Sequence, residues 1–114
     1  MGVSSSPEAA IDETLAALAD PVRRQVVELL ATRPMRPSEL AQETGRSPSA
    51  LSKHLRVLRQ HGLVAESHPE FDARVRIYTL QSARMADLRA WLDAAERAWS
   101  QQLTAFADFM EGSE

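Results

Sequence analysis

Apolar positions step through this chain at intervals of three and four, and proline, glycine and short polar residues cut them into blocks. Residues 1–7 read as a disordered polar tail, with Pro7 and Glu8 opening a first helix whose apolar face is Ile11, Leu15 and Leu18. Asp20 is a good N-cap and Pro21 suits the first helical turn, so a second helix runs to about Ala31 with Val22, Val26, Leu29 and Leu30 inward. Pro34 and Pro37 punctuate the approach to the next segment. Residues 36–62 then hold two short amphipathic blocks, Leu40 facing inward in the front one and Leu51, Leu55 and Leu58 in the rear one. Gly45 falls where a left-handed residue carries no Cβ penalty, and Ser47 with Pro48 supply an N-cap and a first-turn proline for the rear helix. Two helices joined this tightly form a helix-turn-helix.

After His61 and Gly62 the period drops from helical to two. Leu63–Ser67 reads as one strand and Val75–Leu80 as its partner, with Val75, Ile77 and Thr79 on one face and Arg74, Arg76 and Tyr78 on the other. A long helix follows from Ser82 to Glu111, its stripe formed by Met85, Leu88, Leu92, Ala95, Trp99, Leu103, Phe106 and Met110, with Gly112 just past the end. The order α-α-α-α-β-β-α is mainly α with a small β-hairpin, a winged helix-turn-helix. Residues 8–81 form its body and residues 82–114 a C-terminal helix of the same domain.

That last helix spans roughly 45 Å at 1.5 Å per residue, more than so small a core can cover. Its stripe is expected to pack against a second copy of the chain, giving a homodimer through the terminal helices. Ile11, Leu15 and Leu18 of the first helix, with Leu88, Leu92, Trp99, Leu103, Phe106 and Met110 of the last, are the expected interface. Packing of the last helix against the chain's own first helix is the alternative. Trp91 and Trp99 read as core and interface anchors.

With the rear helix's leucines inward, Ser49, Ser52, Lys53, Arg56, Arg59 and Gln60 face outward, and no acid stands among them. Such a face suits the major groove of double-stranded DNA. Ser49 and Ser52 can bond base edges and Lys53 can reach guanine O6 or N7, while Ser47 and Pro48 bring the helix N-terminus to a phosphate. Arg46, Arg56 and the hairpin's Arg74 and Arg76 are expected to hold the backbone, giving affinity and register with little discrimination. Two-fold symmetry would make the operator palindromic.

Composition narrows the alternatives. The 114 residues fit one domain, and the absence of cysteine excludes disulfides, thiolate metal sites and cysteine redox sensing. No apolar run approaches 18 residues and no basic-then-apolar leader occurs, so a soluble cytoplasmic protein without a membrane partner is expected. The net charge of −3 hides a division: residues 1–20 and 85–114 are acidic, whereas residues 21–66 carry eight bases against four acids. Local positive potential, rather than net charge, is what a phosphate-facing surface needs. No Gly-rich phosphate loop, His-Glu-x-x-His or Gly-x-Ser-x-Gly is present, so no catalysis is expected.

The stretches LAALADPVRRQVVELL, SELAQETGRSPSALSKHLRVLRQHGLV and VRIYTL together resemble the ArsR family of bacterial winged-helix repressors over about residues 11–100. The resemblance implies homodimers joined by their first and last helices, and a DNA-binding regulator, by default an autoregulating repressor. Arg23 and Arg24 would be scaffold, pairing with acids on a neighbouring helix. Metal-sensing members carry a Cys-x-Cys pair where this chain has Arg36 and Ser38, and no histidine follows His68 to build their other common site. The chain is therefore similar to the thiol-free branch, with no metal, no cofactor and no legible effector site expected.

Three histidines leave little for a metal. His54 and His61 stand seven apart on one helix, about 10 Å, too far to share an ion, and His54 reads as a packing and capping residue. His68, Glu70 and Asp72 alternate along the hairpin and would be a non-standard metal site; a solvated wing explains them as well. The hairpin is longer than in compact members through Pro69, Glu70, Phe71 and Asp72. A winged-helix protein interaction module without DNA binding is the reading from another functional class.

Overall fold

The computed structural model describes residues 7–112, so most of the expected tail lies outside the described residues, and Pro7 already belongs to a helix. In chain order the elements are α1 (Pro7–Leu18), α2 (Pro21–Leu30), α3 (Pro37–Thr44), α4 (Pro48–Gln60), β1 (Val64–Ser67), β2 (Ile77–Leu80) and α5 (Ser82–Glu111). This is the winged helix-turn-helix order, α-α-α-α-β-β-α. No helix among the described residues is long and apolar enough to cross a membrane.

Helix boundaries follow local chemistry. The Asp20 carboxylate accepts hydrogen bonds from the amides of Val22 at 2.8 Å and Arg23 at 3.2 Å, satisfying donors that α2 leaves open. Desolvation opposes ionisation of Asp20, yet these two bonds and the nearby His54 and Arg23 hold its carboxyl below the ordinary value. Glu39 accepts the Arg36 amide proton at 2.9 Å, closing the start of α3. Gly45 and Gly62 are left-handed at φ 68° and 73°. Past each, a chain amide turns back, Arg46 to the Ala41 carbonyl at 3.2 Å and Leu63 to the Leu58 carbonyl at 2.9 Å.

The core lies between α2, α3, α4 and the hairpin, with Val26, Leu40, Leu51, Leu58 and Leu63 fully buried. Val27 is buried where the sequence pattern favoured Leu29, which is only partly covered. The hairpin pairs Val64 with Leu80, Ala65 with Thr79, Glu66 with Tyr78 and Ser67 with Ile77. Both strands are shorter than expected. Leu63 is spent on closing α4, and the Val75 amide bonds the Asp72 carbonyl at 3.2 Å in a turn rather than a ladder. Met35 adds an isolated antiparallel bridge to β2, exchanging backbone hydrogen bonds with Tyr78 at 2.8 and 3.1 Å.

α1 and α5 pack against each other, yet Leu88 is the only residue of α5 that is fully buried among those described. Beyond it the helix projects from the body. The radius of gyration is 19.3 Å, against about 13 Å for a compact chain of this length. Gly112 ends α5 in the right-handed region, φ −83°, so the left-handed terminus expected there is not formed.

Candidate nucleic-acid interface

α4 presents two faces. Leu51, Leu55 and Leu58 enter the core, and Ser49, Ser52, Lys53, Arg56, Arg59 and Gln60 are exposed. The Ser47 hydroxyl accepts the Ala50 amide proton at 3.2 Å and lies 3.4 Å from the Ser49 hydroxyl, so these two alcohols are already engaged at the helix start. Pro48 follows, exposed, in the first turn. Among the described residues the side chains of Arg46, Ser52, Lys53 and Arg56 make no hydrogen bond or ion pair, which leaves a hydroxyl and three cations available to an outside ligand.

Arg23 and Arg24 are scaffold, but their partners are carbonyls rather than the expected acids. Arg23 donates from Nε to the Ala17 oxygen at 2.6 Å and Arg24 to those of Leu18 and Ala19 at 2.8 and 3.1 Å, capping the open end of α1. Arg23 also lies 3.5 Å from His54 Nδ1, and Asp20 stands 3.9 Å from the same nitrogen. His54 thus joins α4 to the start of α2. His61, the residue that ends α4, is near Glu13 of α1 at 3.7 Å.

The hairpin's arginines are not loose. Arg74 is held by Asp72 through both its amide at 3.0 Å and Nε at 3.3 Å, and Arg76 reaches Glu66 at 3.4 Å. Glu66 also receives the Tyr78 hydroxyl proton at 2.8 Å and faces Arg59 of α4 at 3.4 Å. The Tyr78 bond first, and then the two guanidinium charges, overcome desolvation and hold Glu66 below the ordinary carboxylate value. Burial, and then the same bond, push the Tyr78 phenol up. Sequence reading missed Glu66 and Tyr78, because only the strand register puts them opposite one another. It also gave no role to two exposed aromatics, Phe71 on the hairpin loop at 87 % and Phe109 near the end of α5 at 70 %.

The expected dimer residues divide. Ile11 and Leu88 are buried inside the single chain and Leu18 packs against its core, because α1 and α5 meet there. Leu15, Leu92, Trp99, Leu103, Phe106 and Met110 are exposed, as is Trp91. Among the described residues no three of His, Cys, Asp and Glu come together as a metal-ligand set. His68 Nδ1 lies 2.9 Å from the Val75 carbonyl and Asp72 is occupied by Arg74.

Comparison with known proteins agrees with this geometry. Residues 20–66 match the family described as bacterial regulatory protein, arsR family. The HTH-type transcriptional regulator Rv2034 of Mycobacterium tuberculosis is 37 % identical over 100 residues, covering 88 % of each chain. The HTH-type transcriptional regulator NmtR of the same organism is 35 % identical over 86 residues, 75 % of this chain and 69 % of that one. An ArsR-like transcriptional regulator from Rhodococcus sp. RHA1 superposes with a TM-score of 0.74 at 25 % identity, covering 90 % of this chain and 93 % of the other. A helix-turn-helix whose outward face is alcohol and cation, on this fold and with these relatives, is not an enzyme: the chain belongs to the ArsR family of bacterial DNA-binding transcriptional regulators.

Proposed function

We propose that the protein is a homodimeric repressor that regulates its own promoter, reading an inverted-repeat operator with α4 of each subunit in the major groove. The observation that carries this reading is the exposed, intramolecularly unengaged Ser52, Lys53 and Arg56 on one face of α4. Ser52 and Lys53 contact base edges, with Ser49 beside them, and Arg46 and Arg56 hold phosphates. Ser47 and Pro48 set the helix start near the backbone. Arg74 and Arg76 add wing contacts once they exchange an acid partner for a phosphate. Residues 8–81 serve as the reading body and residues 82–114 as the dimerisation helix.

Dimerisation is supported by the apolar side chains that α5 leaves in water. Trp91, Leu92, Trp99, Leu103 and Phe106 are between 42 % and 69 % exposed, an uncovered stripe that a single chain does not keep without cause. A standard interface buries about 800 Å² per partner, and partly uncovered tryptophan, phenylalanine and leucine side chains are the kind that fill its centre. A regulator of this kind works beside the chromosome, in the cytoplasm.

The test is a gel shift with the DNA upstream of the protein's own gene, against a scrambled duplex of equal length, across a salt series. Binding that prefers the upstream fragment and weakens steeply with salt supports the proposal. Absence of salt-sensitive binding to either duplex would favour a protein interaction module instead.

A further inference from the structure

Between the start of α3 and the hairpin lies an open cleft of about 300 Å³ lined by Arg36, Pro37, Ser38, Arg74, Val75 and Arg76. Three of these six residues are arginines and none is acidic. The acids that balance them stand outside the lining: Asp72 and Glu66 hold Arg74 and Arg76, while Glu39 is taken up by the Arg36 amide and by the Arg33 guanidinium at 3.1 Å. Arg36 therefore brings its charge to the cleft while Glu39, the acid its own amide meets, is already shared with Arg33.

We propose that this cleft is an oxyanion site that takes a phosphate group, with Arg36 on one wall, Arg74 and Arg76 on the other and the Ser38 hydroxyl between them. A guanidinium presents paired donors in a plane that matches two phosphate oxygens, and side chains from two elements converging on one concavity give such a group more than a surface cation would. An open cleft suits a phosphate that belongs to something larger. The walls come from α3 and the hairpin, and α4 packs against both α3 and β1. A DNA strand beside the groove that α4 reads would carry its backbone past these elements, and a free phosphate-bearing small molecule offers the same chemistry. The first source rests on the DNA-reading function proposed above; the second does not.

The experiment uses the full chain in two arms. In the first, ¹⁵N-labelled wild type and Arg36→Ala are titrated with inorganic phosphate against chloride at constant ionic strength, following the Ser38 and Val75 amides. In the second, wild type, Arg36→Ala and Lys53→Ala are compared on the upstream duplex and its scrambled counterpart across a salt series. For a backbone source, Arg36→Ala weakens both duplexes by the same factor, and the slope of log K against log salt becomes shallower by about 0.9 for each phosphate that is no longer neutralised. For a free-anion source, phosphate shifts Ser38 and Val75 saturably in wild type and not in Arg36→Ala, while the salt slope is unchanged. No phosphate-dependent shift together with an unchanged slope overturns the site. If wild type binds neither duplex, the DNA-reading function fails and the phosphate arm alone judges the cleft.

Discussion

Glu66 on β1 and Tyr78 on β2 face each other across the hairpin, and the tyrosine hydroxyl donates to the carboxylate at 2.8 Å. The same carboxylate meets Arg59 of α4 and Arg76 of the hairpin at 3.4 Å each, so one acid ties α4 to the hairpin. Its guanidinium partners are about half exposed and contribute little, whereas the partly buried, charge-assisted tyrosine bond is the stronger contact.

Glu66→Gln should lower folding stability by about 1–2 kcal/mol, measured by urea denaturation near neutral pH. The sign with pH follows from the depressed carboxyl: the contribution is present above the ordinary glutamate value and is lost as pH falls through the lower folded one. Wild type should therefore lose stability on acidification faster than Glu66→Gln, the two curves approaching each other in acid. Parallel curves would remove Glu66 from this role.

Lys53→Ala should weaken binding to the upstream duplex by about 1–3 kcal/mol while relaxing preference at one base position. Equal loss on operator and scrambled DNA, read by gel shift, would reassign Lys53 to a phosphate.

Arg56→Ala should weaken all duplexes together and reduce the salt slope by about one ion. An unchanged slope takes Arg56 out of the backbone contacts.

Trp99→Glu and Phe106→Glu, each on an exposed part of α5, should yield monomers in sedimentation velocity with the helical content intact by circular dichroism. Dimers that survive both substitutions would defeat the placement of the interface on this half of the helix.

Gly45→Ala should cost about 1 kcal/mol even though no atom lies within 4 Å of the added Cβ, because the left-handed φ of 68° is what the methyl group opposes. Thermal denaturation checks it; an unchanged midpoint would mean the turn relaxes.

The helices were legible in the sequence because their signals are local. Asp20-Pro21 and Ser47-Pro48 are caps written in adjacent residues, and Gly45 and Gly62 mark stops whose conformations need no distant partner. The outward face of α4 could be read for the same reason, since burying Leu51, Leu55 and Leu58 dictates which side chains are left. What escaped depends on contacts far apart in the chain. Strand ends were overestimated because Leu63 and Val75 are apolar and alternate correctly, while their amides are committed to turns. Arg23 and Arg24 were given acidic partners because charge suggests charge, but the open carbonyls of α1 lie nearer. Ile11 and Leu88 looked like interface residues because a stripe does not state which of its members the chain itself covers.

The joint at His54 has a mechanical corollary. Arg23 grips the last turn of α1 with one nitrogen and approaches the α4 imidazole with another, while Asp20 stands against that same ring. A tilt of α1 would therefore load the side chains that meet α4 at this joint. In the dimer proposed above, clasped by its terminal helices, such a load would reach both reading heads, and an extra base pair between half-sites would be felt as misalignment.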